Sequence, residues 1–209
     1  MKLKLVGVPE TLLIPLWARA EEFRQSEPII IDQEAVNMVA HIDYDFSKFT
    51  TAKFSQIGCS VRAAILDNET KKFIKRNPGA IVINLGCGLD TRYFRVNNDR
   101  IVWYDIDLME PIKLRKKFFA ENNNYKMISK SIFDFSWLNQ IKESGRPVLI
   151  IAEGLLMYFS EAEVKELFER LLRAFPQAVL LIEMLAPIMV GKSKKHDSLK
   201  SMDIVPEFK

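Results

Sequence analysis

Short apolar runs that alternate with helical patterns fill the second part of the chain. The runs lie at about residues 80–85, 101–104, 126–130, 148–152 and 178–183. The helical patterns lie between them, at 109–120, 136–143 and 160–175, and Ser160 and Glu163 form the pattern of a capping box. Short apolar strands alternating with helices predict a doubly wound, mostly parallel sheet. Such a sheet binds its ligands at the carboxyl ends of its strands.

Helix-like patterns occupy residues 9 to 78, before the first of these runs. Asp32 is expected to cap a helix whose inward residues are Ala35, Val36, Met38 and Val39. A longer helix, from about Phe49 to Arg76, places one apolar set near one face: Ile57, Val61, Ala64, Ile65 and Phe73. Asn77-Pro78-Gly79 then ends it. We therefore divide the chain into a helical N-terminal extension or lid, residues 1–78, and one compact α/β domain, residues 79–209.

Composition excludes several classes of function. The chain has 209 residues, and its 30 basic and 27 acidic side chains leave a net charge of only +3, which gives no argument for nucleic acid. Its two cysteines do not make a disulfide framework, so we expect a reducing, cytoplasmic setting. No apolar run approaches the roughly 18 residues that a membrane span needs, and the N-terminus is a poor signal peptide. The basic cluster at 192–196 is interpreted as a solvated turn, and no metal site is predicted.

The most informative segment is the glycine turn Gly86-Cys87-Gly88, directly after the first apolar run. Glycines let a ligand approach the backbone closely. A dinucleotide fingerprint would have a third glycine where this chain has Thr91, so a nicotinamide dehydrogenase is disfavoured. On its own, a G-x-G after a strand is also compatible with a simple tight turn.

Three further segments follow the ends of predicted strands. Asp105 and Asp107 lie 19 and 21 residues beyond Gly86, the spacing of an acid that binds ribose. Asp107 is the favoured ribose ligand, and Asp105 either lies near the ligand or holds the loop. The loop at Ser131-Ile132 is a candidate for adenine, the alternative being that its aromatic neighbours are core. Glu153 ends the fourth strand and is a ligand contact or a structural acid.

Several blocks agree in order and spacing with one known family. VINLGCGLDTRYFR, WYDIDLMEPIKLRKKFF and LIIAEGLLMYFSEAEVKELFERL resemble the leucine carboxyl methyltransferase family. ETLLIPLWARA and SKKHD resemble its bacterial branch, the tetracenomycin-type O-methyltransferases of polyketide synthesis. The resemblance runs over nearly all of residues 8 to 200. It implies a class I, Rossmann-like methyltransferase fold and S-adenosylmethionine as the cofactor.

The resemblance also implies which residues bind that cofactor. Arg62, otherwise a solvated helix arginine, would bind the methionyl carboxylate. Gly86 and Gly88 would contact the methionine portion, and Asp107 the ribose. The loop at Ser131 and Ile132 would hold adenine, although relatives often have Asp where this chain has Ser131. Glu153 matches the acid of the family's I-A-E-x-x-L-x-Y block.

The expected function is O-methylation of a carboxylate, or of a phenol, on a small molecule. A carboxylate is already ionised at neutral pH and needs no general base, whereas a phenol or alcohol does. His41 and His196 are poor candidates for that base. Trp17, Arg19 and Tyr158 are candidates for holding the acceptor, against core packing for Trp17 and a helix-surface pair with Glu22 for Arg19.

One departure from the family pattern supports an alternative. Only 26 residues follow Glu183, which is short for the helix and hairpin that usually complete this sheet. We therefore expect a shortened C-terminus and an exposed sheet edge. The alternative function is a truncated, non-catalytic homologue that binds the nucleoside ligand. The acceptor and the oligomeric state do not follow from the sequence.

Overall fold

The structure is a computed structural model that describes residues 8–96, 99–141, 145–193, 197–199, 202 and 205–209. Parts of two predicted features, the helix at 136–143 and the basic cluster at 192–196, therefore lie outside the described residues. Among the helices of the described part, none is both long enough and apolar enough to cross a lipid bilayer.

Helices form the first part of the chain, as predicted. They are α1 (Val8–Thr11), α2 (Leu13–Phe23), α3 (Gln33–His41), a 3₁₀ helix (Phe46–Phe49) and α4 (Lys53–Arg76). The Asp32 side chain caps α3 by accepting a hydrogen bond from the Ala35 N–H at 3.0 Å. Ala35 and Met38 are buried, which confirms the predicted inward face at these two positions.

Strands and helices alternate through the second part. The strands are β1 (Ile81–Leu85), β2 (Val102–Asp107), β3 (Tyr125–Ser129), β4 (Val148–Ala152) and β5 (Val179–Ile182). The α-helices among them are α5 (Arg92–Val96), α6 (Met109–Arg115) and α7 (Glu161–Ala174). The shorter 3₁₀ helices are Phe135–Gln140, Leu156–Tyr158 and Pro187–Met189. All five predicted strands are confirmed, whereas the helix predicted at 109–120 ends at Arg115.

The five strands form one parallel sheet in the order β3-β2-β1-β4-β5. The order reverses at β1, so the switch point lies between β1 and β4, where parallel sheets bind their ligands. β1 and β4 are completely buried, which explains their apolar sequences, broken only by Asn84 in β1, whose side chain donates a hydrogen bond to Asp105. Together these features confirm the predicted doubly wound α/β fold.

The long helix α4 differs from the sequence-based expectation. Its predicted apolar face is largely exposed: Ile57 is 51% and Ile65 is 57% accessible. The buried face instead carries small and polar residues, among them Ser60, Ala63 and Thr70. A hydropathy pattern does not detect such a face, because polar side chains there are buried with hydrogen bonds.

The chain divides into two compact units that differ from a simple N-terminal and C-terminal split. One unit comprises Met1–Asn68, Leu89–Val96 and Pro187–Phe208. The other comprises Glu69–Gly88, Asn97–Ala186 and Lys209 and contains the whole sheet. We call them the helical unit and the sheet unit. The division at residue 78 that the sequence suggested stays a prediction.

The capping box at the start of α7 generates a stability prediction. The Ser160 side chain accepts from the Glu163 N–H, and the Glu163 carboxylate accepts from the Ser160 N–H at 2.7 Å. We expect Ser160→Ala to lower the free energy of unfolding by about 1 kcal/mol, because a helix N–H loses its acceptor. Urea unfolding followed by circular dichroism measures the change. The exposed mid-helix control Lys165→Ala should change it by less than about 0.5 kcal/mol, and equal effects would contradict a specific role for the cap.

Candidate cofactor site at the carboxyl edge of the sheet

Strand register places four of the predicted segments at one edge of the sheet unit. Leu85 is paired with Ile106 in β2 and with Ala152 in β4, and Asp107 is paired with Ser129 in β3. The residues that follow these positions therefore leave the sheet at its carboxyl edge. This edge carries the glycine turn, Asp107, the Ser131-Ile132 loop and Glu153.

The glycine turn has a backbone that only glycine adopts easily. Gly86 and Gly88 have φ angles of +59° and +46°, in the left-handed region. A Cβ atom on Gly86 would also lie 2.5 Å from Cδ1 of Leu155. Between the glycines, Cys87 is buried and donates its N–H to the Ile106 carbonyl at 3.2 Å, which ties the turn to β2. Cys87 thus fills the turn with a small buried side chain.

Asp107 is the carboxylate closest in structure to the turn. Its Oδ2 accepts the Gly88 N–H at 2.7 Å, and its Oδ1 accepts the Leu108 N–H at 2.7 Å. Burial raises the pKa of Asp107 above its ordinary value, although the two backbone N–H groups and Arg115 oppose that shift. The sheet thus holds a partly desolvated carboxylate against the backbone of the turn.

Asp105 lies two residues earlier in β2 but is enclosed in the core, with only 1% of its surface exposed. Asn84 and Trp103 donate to its Oδ1 at 3.0 and 2.9 Å. The Tyr125 hydroxyl donates to its Oδ2 at 2.6 Å, and Arg115 forms an ion pair with the same oxygen. These contacts favour the second of the two roles that the sequence left open, which is to hold the loop rather than to touch a ligand.

The remaining segments of the edge are half-buried. Ser131 accepts the Phe133 N–H at 3.2 Å, whereas Ile132 packs in the core and its carbonyl accepts from Trp137 at 3.1 Å. Phe133 also packs edge-to-face against Phe159, with ring centroids 4.9 Å apart. The alternative of aromatic core packing thus holds for part of this loop. The loop still follows β3 at the same edge.

One residue of this edge was missed from the sequence. Glu183 follows β5 directly, and its carboxylate accepts the Gly154 N–H at 2.6 Å. It therefore fixes the turn that carries Glu153. A signal was present, since an acid after an apolar run had already singled out Asp107 and Glu153.

Three of the candidate residues lie in the helical unit. Trp17 is 3% exposed and packs against Phe49 with centroids 5.7 Å apart, which favours the core-packing alternative. Arg19 is 2% exposed and pairs with Asp32 at 2.7 Å, not with Glu22. Arg62 is half-buried on α4, with Nη2 4.0 Å from the Cys59 sulfur. Tyr158 belongs to the sheet unit and is also half-buried.

The fold and this edge define a nucleoside-binding α/β protein, and comparison with known proteins narrows the class. A family model described as leucine carboxyl methyltransferase matches residues 13–172. The tetracenomycin polyketide synthesis O-methyltransferase TcmP of Streptomyces glaucescens is 37% identical over 200 residues, which are 95% of this chain and 74% of that protein. The S-adenosyl-L-methionine-dependent methyltransferase dpfgK of Gibberella zeae is 34% identical over 189 residues, covering 83% of this chain and 63% of that one.

The chain belongs to the leucine carboxyl methyltransferase family. The predictions of the family and of an S-adenosylmethionine-dependent methyltransferase are thereby confirmed. Among solved structures, the plantazolicin methyltransferase BpumL in complex with SAH is 16% identical, with a TM-score of 0.46 over 90% of this chain and 65% of that one.

The hydrogen-bond acceptors of this edge fit the ribose of such a cofactor. A carboxylate offers about four lone-pair positions. At Asp107, two of these positions accept backbone N–H groups of the described residues, and the other two are suited to the two neighbouring hydroxyl groups of a ribose. The left-handed glycines beside it leave the turn without Cβ atoms.

The raised pKa of Asp107 generates a prediction about stability and pH. A carboxyl with a higher pKa in the folded chain than in the unfolded chain binds its proton more tightly when folded, so its ionisation costs stability as pH rises above about 3.9. Asp107→Asn removes the charge but also one of the two oxygens that accept backbone N–H groups, and that lost hydrogen bond costs stability at every pH. We therefore expect the stability of the variant relative to the wild type to be lowest in acid and to rise as pH increases above about 3.9 towards neutral.

Asp134 provides a control of opposite sign. Hydrogen bonds from Ser136 and Lys130 lower its pKa to about 2, so its ionised form is stabilised in the folded chain. Asp134→Asn should therefore lose stability at neutral pH, and the loss should vanish only as pH falls through that low value. Urea titrations of both variants across pH give the comparison. Parallel pH profiles for the two variants would contradict the assignment at Asp107.

Proposed function

We propose that this chain methylates a carboxylate on a small organic acid, using S-adenosylmethionine. The observation that carries the proposal is the partly desolvated Asp107 carboxylate bonded to the glycine turn at the sheet's carboxyl edge. The similarity to TcmP, an O-methyltransferase of polyketide synthesis, supports O-methylation. Because this chain spans 74% and 63% of the two relatives' lengths, turnover and acceptor belong to the proposal.

The residues proposed to hold the cofactor are those that match the family's motifs. Gly86 and Gly88 would contact its methionine portion and Asp107 its ribose, with Ser131 and Ile132 near adenine. Arg62 would bind the methionyl carboxylate, and Glu153 lies among the acids that favour a cation. Asp105 is not kept as a direct contact, since donors already surround both of its oxygens.

The chemistry requires positioning more than proton transfer. When bound, S-adenosylmethionine supplies an electrophilic methyl group, which passes to the acceptor oxygen as the carbon–sulfur bond breaks. A carboxylate acceptor is ionised at neutral pH, so no side chain has to remove a proton. Holding the two reactants in line contributes effective molarities of roughly 10⁵ M or more. The chain's task is therefore to orient the acceptor and to exclude water.

We do not propose either histidine as a general base. His41 is exposed, and its Nδ1 lies 2.8 Å from the Asn37 carbonyl in the helical unit. His196 lies outside the described residues. Tyr158, half-buried in the sheet unit, is the candidate we keep for contacting the acceptor, whereas Trp17 is assigned to core packing. Cys59 and Cys87 are both buried and form no disulfide with each other, and we propose a reducing, cytoplasmic setting.

Methyl transfer to matched acceptors tests the proposed function. The assay uses purified protein and S-adenosylmethionine with a labelled methyl group. The acceptors are a panel of aromatic acids, each paired with the corresponding phenol. We expect ester formation on the acids, with a rate that changes little between about pH 6 and pH 8, because the acceptor is already ionised. A rate that rises tenfold per pH unit, seen only with phenols, would assign a phenol acceptor instead. Binding of S-adenosylhomocysteine (SAH) without any transfer would favour the non-catalytic alternative.

The cofactor assignment is tested by paired arginine variants on the same helix. We expect Arg62→Ala to weaken SAH binding about tenfold, corresponding to about 1.4 kcal/mol, because a charged partner of the ligand is lost. Arg76→Ala, an exposed change near the end of α4, should leave the dissociation constant unchanged. Isothermal titration calorimetry measures both. Equal affinities of the two variants would remove Arg62 from the site.

A further inference from the structure

Two buried arginines donate hydrogen bonds to consecutive backbone carbonyl groups at the end of the glycine turn. Arg115 donates from Nη1 to the Gly88 carbonyl at 3.2 Å, within the sheet unit. Arg19 donates from Nη2 to the Leu89 carbonyl at 2.9 Å, within the helical unit. We call these two contacts the carbonyl clamps. Both arginines are buried, so their charges need partners inside the protein.

Asp105 anchors the first clamp. Its Oδ2 pairs with Arg115, and the Tyr125 hydroxyl lies between them, accepting from Arg115 at 2.7 Å and donating to Asp105 at 2.6 Å. Burial by itself would lower the pKa of Arg115, yet the charge of Asp105 raises it well above the usual value. Arg115 is therefore a permanent cation with a fixed orientation.

Asp32 anchors the second clamp. It pairs with Arg19 at 2.7 Å and also accepts from the Thr91 hydroxyl at 2.5 Å and from Arg95 at 2.9 Å. Although burial opposes the shift, Arg19 and Arg95 hold the pKa of Asp32 below its ordinary value. This carboxylate stays ionised and keeps Arg19 aimed at the Leu89 carbonyl.

We propose that Asp105–Arg115 and Asp32–Arg19 are positioning pairs that hold the peptide groups at the end of the glycine turn in a ligand-binding shape without touching the ligand, Arg115 acting on Gly88 within the sheet unit and Arg19 on Leu89 within the helical unit. A peptide group is planar, so holding its carbonyl oxygen also fixes the direction of the N–H on its other side. The clamps thereby fix the N–H groups of Leu89 and Asp90, next to a glycine that is otherwise free to rotate. A turn fixed before binding loses less conformational entropy when the ligand arrives. This inference rests on the proposed cofactor site.

The proposal assigns different roles to two residues that the sequence placed at the ligands. Asp105 was a candidate for cofactor contact and Arg19 for acceptor contact. A residue that contacts the acceptor affects the acceptor's KM but not the binding of SAH alone. A residue that positions the turn affects SAH binding even when no acceptor is present. This difference separates the two roles.

Arg19→Gln is the decisive variant, because Asp32 keeps Arg95 and Thr91 as partners and is not left as an unpaired charge. We expect it to weaken SAH binding about tenfold in calorimetry without acceptor. We also expect faster hydrogen exchange at the amides of Leu89 and Asp90, measured on the folded protein without ligand. Unchanged SAH affinity with a raised acceptor KM would overturn the proposal in favour of acceptor contact. Unchanged affinity with lower stability alone would overturn it in favour of a purely structural pair.

The first clamp has its own variant and a matched control. Arg115→Lys keeps the charge beside Asp105, but a single ammonium does not reproduce the two-sided contacts of a guanidinium. It should weaken SAH binding about tenfold. Tyr125→Phe removes a hydroxyl from the same cluster and leaves Arg115 its bond to Gly88, so its SAH affinity should stay within about threefold of the wild type. Equal weakening by both variants would overturn the clamp and indicate general loss of core structure.

Failure of the proposed function gives a different result from failure of the clamps. If the wild type does not bind SAH, the cofactor site is wrong for this chain, whatever the variants do. The amide exchange of Leu89 and Asp90 still reports on the clamps in that case. If hydrogen exchange at these two amides is identical in the wild type, Arg19→Gln and Arg115→Lys, that result alone overturns the positioning role.

Discussion

Ion pairs between buried arginines and aspartates are the interaction on which the rest of this structure depends. In the helical unit, Asp67 accepts from Arg92 at 2.7 Å and from Arg95 at 2.6 Å, and Asp90 pairs with the same two arginines. These groups come from α4 and from the segment after the glycine turn. Removing one partner of a buried pair costs about 3–5 kcal/mol, because the other charge stays buried without compensation. The network therefore ties α4 to the segment that follows the glycine turn, within the helical unit.

The strand segments and the glycine turn were predictable because each depends on the residues of its own short stretch of sequence. Strands buried on both faces are nearly continuous apolar runs, and turns at positive φ favour glycine, so the sequence predicts both β1 and the turn after it. Parallel strands also end at one edge, which places Asp107 and Glu153 on that edge without further information. The family match adds Arg62, which no local pattern indicated.

Other features were not predictable, because they depend on contacts between distant segments. Asp105 and Asp107 lie two residues apart on the same face of β2, and no local pattern shows that Tyr125 and Arg115 enclose only the first. Arg19 resembles a surface residue of an amphipathic helix until Asp32, 13 residues later, accepts from it. On α4, small and hydrogen-bonded residues are buried, and the apolar face that contains Ile57 and Ile65 is largely exposed to solvent.

The same networks explain how the edge can favour a cation. Within the sheet unit, Arg115 is bonded to the Gly88 carbonyl and to the buried Asp105, so its charge is largely neutralised. Asp107, Glu153 and Glu183 stand at the carboxyl edge itself, where partial desolvation strengthens their fields. Under the proposed function, an edge with these acids would attract the positively charged sulfur of the cofactor and repel an acidic acceptor on its own. An acidic acceptor would therefore bind more readily after the cofactor, whose charge offsets that of the edge. On this electrostatic argument we expect an ordered sequence, with the cofactor first, for a carboxyl methyltransferase built on this sheet.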